Sequence, residues 1–314
     1  MWTSFLLILT EIINRFATQS LSTAMFLLIS SCRANGSSEL ISLLIETRAP
    51  KRTLILGPTY SEYSRELSFS GSTQDYYHLQ EAEDFELDVE DLCRTLLNGY
   101  DFLILCNPNN PTSSAILKDE MRALLSFCAN RDIFVMIDET YVEFAPSVQE
   151  VTAVPYTKEF SNLMVLRGVS KFYAAPGMRF GYGITGNKEF LSQMKEKQIP
   201  WSLNSLGAYA GEQMFKDTSY IRQTRALILT ERDRIFLELK KMSSFKVYFP
   251  YGNFILVKIL KPEVTSFDVF EACIKEGLMI RDCSSFQCLD GEFVRFCIMK
   301  PEDNDRLLKV LKTI

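Results

Sequence analysis

The chain has 314 residues, room for two domains at roughly 150 residues each; with 47% hydrophobic and 23% charged residues it has the composition of an ordinary globular protein. A net charge of −5 gives no whole-protein basic field to attract nucleic acid. The single histidine, His78, excludes His-rich metal clusters and zinc sites built from two or three imidazoles, and any Ser-His-Asp or Cys-His mechanism would have to run through it.

Residues 1–33 read as an atypical opening segment. Its apolar runs MWTSFLLILT and AMFLLISS are separated by Glu11, Asn14 and Arg15, and neither approaches the roughly 20 apolar residues of a membrane span. No Lys or Arg precedes Arg15, which argues against a signal peptide and for a helical segment packed on the body. From about 37 to 190, helical patterns alternate with short apolar runs. ELISLLIETRA is helical, TLILGP a strand, SEYSRELSF a helix, YDFLILCNP a strand, KDEMRALLSFCANR a helix, and DIFVMIDET and NLMVLRG strands. Continuous apolar strands between helices predict a mostly parallel sheet covered on both faces, an α/β domain spanning 34–204. In such sheets the loops at the carboxyl ends of the strands build the site, and here those loops read GPTY, NPNNPT, DETY and GVSK. Beyond Trp201 the pattern changes. A helical stretch over about 205–242 leads to strands in FKVYFP, NFILVKI, MIRDC and EFVRFCIM and helices in FDVFEACIKEG and DNDRLLKVLKTI. Residues 205–314 therefore read as a linking helix and a smaller α+β domain.

The eight cysteines form no CxxC pair, and most sit in apolar runs such as FLILC and FVRFC. They read as reduced core thiols of a cytoplasmic protein rather than a disulfide framework, and no metal site is expected. His78, in QDYYHLQE, is expected to have a surface or packing role.

Two residues carry the first hint of chemistry. Asp138 ends the run FVMID, and a carboxylate leaving a buried strand is costly without a cation or a strong donor. Taken alone it reads equally as a turn residue or a helix cap. Lys171, in GVSKFYAAPGMRFGYG, follows a buried strand and precedes Arg179 by eight residues. A lysine at the mouth of a parallel sheet near a fixed arginine suits a Schiff base with a phosphorylated aldehyde.

The motifs SKFYAAPGMRFGYG, NPNNPTS and IDETYVEF resemble those of the class I/II, fold-type I pyridoxal-phosphate enzymes. Within that superfamily the chain is most similar to the branch of histidinol-phosphate aminotransferase and threonine-phosphate decarboxylase. The resemblance runs from about Ala34 to the C-terminus. It implies pyridoxal 5'-phosphate as cofactor, with Lys171 as its covalent anchor and the base at the substrate Cα. Asp138 would pair with the pyridine nitrogen, Tyr141 and Asn110 would bond the ring oxygen, and Tyr60 would stack on the ring. Ser37 and Ser38, at a predicted helix N-terminus, would hold the phosphate with Ser170 and Arg179. Arg295 would take the substrate carboxylate. The residues by themselves also fit blander roles: Tyr60 and Tyr141 as core-edge aromatics, Asn110 as a turn residue, Ser37 and Ser38 as caps, Arg295 as a strand-edge cation.

The sequence departs from the family pattern at two places. Ser113 stands where relatives carry glycine in NPTG, which is expected to reshape the loop slightly. Upstream of Ala34 the usual Asn/Pro-rich opening and its tyrosine are not recognisable, for no tyrosine precedes Tyr60. A truncated gene start and a divergent N-terminus are both open, and an impaired relative is one reading that follows. The expected activity is transamination between a small-molecule amino donor and a 2-oxo acid acceptor, with decarboxylation of a phosphorylated amino acid as the alternative. The resemblance further implies a homodimer; no nucleic-acid or membrane partner is expected.

Overall fold

The computed structural model describes residues 30–314; of the opening segment expected over 1–33, residues 1–29 lie outside the described residues, and residues 31–33 are strand rather than helix. Seven strands make the large sheet: β1 (Ser31–Ala34), β2 (Arg52–Gly57), β3 (Thr73–His78), β4 (Phe102–Cys106), β5 (Phe134–Asp138), β6 (Leu163–Gly168) and β7 (Gly181–Ile184). Their spatial order is β1-β7-β6-β5-β4-β2-β3. Strands β2 to β6 run parallel, while β7 is antiparallel to β6 and β1 antiparallel to β7.

Alternate residues of these strands feed two cores, as a doubly covered parallel sheet requires. Phe102, Ile104, Phe134 and Met136 pack under α1 (Ser37–Arg48), α2 (Glu62–Ser70) and, later in the chain, a helix over Lys188–Lys197. Leu103, Leu105, Val135 and Ile137 pack on the other face under α3 (Val89–Leu96) and α4 (Lys118–Ala129). Helix α1 shows why these segments are helical: Leu40, Ile41, Leu43, Leu44 and Ile45 all bury, each burial contributing about 1.5–3 kcal/mol. The short α5 (Val148–Val151) precedes the Lys188–Lys197 helix, α6.

The stretch expected as one helix over 205–242 is two, α7 (Ser205–Lys216) and α8 (Thr218–Leu239). Asp217 makes the break, because its carboxylate accepts from the Tyr220 amide at 2.9 Å and so caps a new helix. Beyond it, β8 (Phe245–Val247), β9 (Phe254–Ile259), β10 (Arg281–Asp282) and β11 (Phe293–Cys297) form an antiparallel sheet in the order β10-β11-β9-β8. With α8, α9 (Ser266–Lys275) and α10 (Pro301–Leu311) it encloses a third core that includes Ile235, Val257, Val294 and Leu308. The architecture is thus an α/β unit with a mostly parallel sheet between helices, joined to a smaller α+β unit. Among the described residues no helix is long and apolar enough to cross a membrane.

Candidate active site

The parallel strands deliver their carboxyl ends to one edge of the sheet. There β2 runs into Pro58–Tyr60, β4 into Asn107–Asn110, β5 ends on Asp138, and β6 leads through Val169 and Ser170 to Lys171. Strand β1 points the same way as β6, since both are antiparallel to β7, so Ser37 and Ser38 at the start of α1 reach the same edge. A cavity of about 260 Å³ opens there, lined by Ser37, Ser38, Tyr60, Asn110, Asp138, Tyr141, Ser170, Lys171, Arg179 and Arg295. The structure therefore brings together every site residue expected from the sequence.

Asp138 is buried on the α1/α2 side of the sheet, beside Cys106, its neighbour in register on β4. Its Oδ1 accepts from the Thr140 amide at 2.9 Å and from the Thr140 hydroxyl, and its Oδ2 accepts from the Tyr63 hydroxyl at 2.9 Å. Burial pushes its pKa up; the Thr140 and Tyr63 hydrogen bonds and the charge of Lys171 oppose that rise. Among the described residues no cation lies within ion-pair distance of this carboxylate. A buried acid with an unmet need for positive charge fits a protonated ring nitrogen.

Lys171 is exposed rather than enclosed, because β6 stops at Gly168 and the lysine stands three residues out on the loop. Its Nζ lies 5.9 Å from the centroid of the Tyr141 ring. Tyr141 leans edge-on against Phe254 of the smaller sheet at 4.9 Å, and burial raises its hydroxyl pKa. Tyr60 is 38% exposed, leaving a ring face to the cavity. Asn110 is buried, and its Oδ1 accepts from the Arg295 guanidinium, which leaves the Nδ2 protons to face the cavity.

The start of α1 is an anion cradle by construction. No side chain caps it, so the first amides keep their donors. Arg179 lies across it, its Nη2 donating to the Asn35 carbonyl at 3.1 Å and its Nη1 to the Pro176 carbonyl at 3.2 Å. A Cβ on Gly36 would sit 2.6 Å from that Nη2, and one on Gly181 2.7 Å from the Ser37 amide. Two glycines thus let the arginine, the helix start and β7 close around one point. This fits a phosphate group.

Arg295, on β11, crosses from the smaller sheet to Asn110; its Nε is buried without a protein partner. Directly opposite it in register on β10 stands Arg281, whose Nη2 donates to the Ser285 hydroxyl at 2.6 Å. Both arginines line a second cavity of about 330 Å³ that shares Tyr60, Asn110 and Arg295 with the first. Sequence reasoning missed Arg281, which sits in the short strand of MIRDC, as well as Tyr63 and Thr140. Tyr63 stands three residues after Tyr60 in TYSEY, but nothing local marks it, because its meaning lies in the hydrogen bond to Asp138, 75 residues on. His78 lies outside both cavities, its Nε2 3.3 Å from the Cys288 sulfur. Among the described residues no cluster of His, Cys, Asp and Glu could hold a metal ion.

Comparison with known proteins places the chain in one family and one fold. The family of class I and II aminotransferases matches residues 22–311. Threonine-phosphate decarboxylase of Salmonella typhimurium is 30% identical over 280 residues, which cover 89% of this chain and 75% of that one. Histidinol-phosphate aminotransferase of Methanococcus aeolicus is 29% identical over 282 residues, covering 89% and 74%. The crystal structure of histidinol-phosphate aminotransferase from Clostridium acetobutylicum superposes with a TM-score of 0.85 at 32% identity, covering 98% of this chain and 87% of that one.

Proposed function

The chain belongs to the class I and II aminotransferase family, whose enzymes depend on pyridoxal phosphate, and on that premise we propose that it moves the amino group of an amino acid or phosphorylated amino compound to a 2-oxo acid. Lys171 would anchor the cofactor covalently, as in a histidinol-phosphate aminotransferase. The observation that carries the substrate class is the opposed pair Arg281 and Arg295 on neighbouring strands. Like charges directly across a sheet destabilise it, so two cations facing one cavity are best explained by anionic groups on the ligand.

When bound, pyridoxal phosphate supplies a carbonyl carbon for the substrate amine and a ring that draws electrons from Cα. The chain's own residues do the rest. Asp138 holds the ring-nitrogen proton, and Tyr141 and the Asn110 amide donate to the ring oxygen. Ser37, Ser38, Ser170 and Arg179 hold the cofactor phosphate. Tyr60 covers the ring face, an aromatic plane that loses little entropy on binding. Lys171 Nζ takes the proton from the substrate Cα and returns it. Arg295 binds the substrate carboxylate, and Arg281 with Ser285 binds a second anion such as a phosphate ester.

A second reading, loss of CO₂ in place of amino transfer, is favoured by one observation. Two arginines suit a substrate that carries both a carboxylate and a phosphate ester, as threonine phosphate does. Both readings are tested by incubating the protein, loaded with pyridoxal phosphate, with histidinol phosphate or threonine phosphate and 2-oxoglutarate. Glutamate formation supports transamination; CO₂ release without glutamate sinks it. Lys171→Ala should abolish both product formation and the visible absorption of the loaded protein. Arg281→Ala should raise KM for a phosphorylated substrate at least about tenfold, the scale of one hydrogen bond between charged groups, and leave unphosphorylated amines little changed.

The proposed assembly is a homodimer. Its support is a segment of exposed apolar side chains over 199–209, tied to the phosphate cradle through the hydrogen bonds of Asn204 to Asn35 and the Arg179 carbonyl, in which Trp201 is fully exposed and Ile199, Leu206 and Tyr209 are largely so. A cytoplasmic location is proposed on the eight cysteines, all of them free thiols.

A further inference from the structure

We propose that Tyr63 is a positioning residue for the cofactor's ring nitrogen, its hydroxyl fixing which acceptor position of Asp138 faces the cavity. The inference rests on the reading of Asp138 as the partner of that nitrogen. An ionised carboxylate has two oxygens and about four acceptor positions. On Asp138 both positions of Oδ1 are taken, by the amide and the hydroxyl of Thr140. The Tyr63 hydroxyl takes one position of Oδ2 at 2.9 Å. Among the described donors nothing takes the fourth, and Asp138 lines the cavity. The remaining lone pair of Oδ2 is therefore the one presented to a ring N–H, and Tyr63 decides which of the two it is.

Packing does not require the hydroxyl. Tyr63 is 1% exposed in the core beneath α1 and α2, where a phenylalanine ring would fill the same space. The hydroxyl is the part of the side chain that hydrogen-bonds the carboxylate. It also adjoins Cys106, whose thiol is turned to the Pro108 carbonyl at 3.3 Å and so does not compete for Asp138. Tyr60, in the loop that enters α2, meets the Tyr63 ring edge-on at 5.6 Å. The approach to α2 and its first turn thus supply both an aromatic face for the ring and a donor that orients the acid serving its nitrogen. Without that donor Oδ2 has two equivalent positions to offer. Burial already favours protonation of Asp138, and losing a donor to the charged form favours it further, replacing a charge-assisted hydrogen bond with a weaker neutral one.

The test measures equilibrium binding, not turnover. Pyridoxal phosphate and the analogue in which a C–H replaces the ring nitrogen are titrated into wild type and Tyr63→Phe, followed by absorbance. The ratio of the two affinities isolates the contact with the ring nitrogen, and the affinity for the analogue alone reports whether the rest of the cavity is intact. Wild type should prefer pyridoxal phosphate. In Tyr63→Phe that preference should fall about tenfold, equivalent to about 1.4 kcal/mol, with the analogue bound as before. An unchanged preference, or an equal loss for both compounds, would reduce Tyr63 to a packing residue and overturn the proposal. A wild type that binds pyridoxal phosphate and its analogue alike would overturn the role of Asp138 and this inference with it. A wild type that binds neither would overturn the cofactor assignment instead.

Discussion

Glu139 follows Asp138 in the chain and emerges on the opposite face of the sheet, where Arg167 of β6 meets it. Arg167 Nε and Nη2 donate to Glu139 Oε2 at 2.9 and 2.7 Å; Thr152 and the Ala153 amide complete the carboxylate's shell. The two side chains are 7% and 0% exposed. This pair clamps two strand ends together, one residue after Asp138 and four before Lys171. Removing one partner leaves the other as an uncompensated buried charge, so Arg167→Met should cost about 3–5 kcal/mol. For a chain of this size that is a fall in Tm of about 6–20 °C, at ~2–4 °C per kcal/mol. Replacing both, Glu139→Met with Arg167→Met, removes charge and countercharge together and should recover most of the stability, because hydrophobic replacement of a buried pair is often neutral. Chemical denaturation gives the free energies, and absorbance with added pyridoxal phosphate gives cofactor affinity for the same variants. The double variant should be stable yet hold the cofactor more weakly, because the clamp on the strand ends is gone. A single variant costing under about 1 kcal/mol would refute the reasoning, since a cost that small belongs to solvated pairs.

Two further outcomes follow from buried polar groups near the site. Burial pushes Glu143 up to about 7, against the attraction of Arg167, so the folded protein holds a proton that the unfolded chain releases above its ordinary value of 4.5. Stability should therefore fall as pH rises from about 4.5 through 7, by roughly 3 kcal/mol in all; urea denaturation across that range should show the slope, and Glu143→Gln should abolish it. Ser113 adopts φ +61, a conformation glycine takes freely, and its hydroxyl accepts from the Gly252 amide at 2.8 Å. Ser113→Gly gains about 1 kcal/mol of backbone relief and leaves a buried donor unmet at about 1–3 kcal/mol, so a net loss near 1 kcal/mol is expected; a stabilised variant would show that the hydroxyl is dispensable.

The elements legible in the sequence are those whose burial is uniform. β4 and β5 are buried at every position, and their runs FLILC and FVMID announce it. β3 is not legible, because it lies at the sheet edge and its TQDYYH is half-exposed in the middle and exposed at both ends. β7 was hidden in the glycines of GYGI, where small size serves close approach: a Cβ on Gly181 would meet the Gly36 backbone at 2.6 Å. The candidate site divides in the same way. Lys171, Asp138 and Arg179 stand in local motifs. Arg281 acquires meaning only through its register with Arg295, and Tyr63 only through a hydroxyl that reaches Asp138 from 75 residues away. Pairings between distant segments leave no local pattern to read.

The residues of the two cavities have a common energetic character. Asp138 is a buried acid with no cation in ion-pair reach among the described residues, Arg295 buries a donor without a partner, and Arg281 opposes Arg295 across two strands. Each is a cost to the polypeptide by itself. A pyridinium, a carboxylate and a second anion would offset all three, so ligands of that charge pattern should stabilise the fold by mass action, about 2.7 kcal/mol at a concentration one hundred times Kd. The order of effects separates the cavities. Pyridoxal phosphate alone should raise Tm through Asp138 and the α1 cradle, and inorganic phosphate should add a further rise through Arg281 and Arg295. That second rise should vanish in Arg281→Ala while the first remains. If instead Arg281→Ala kept the full response to phosphate, the anion would be binding elsewhere and the opposed arginines would need another explanation.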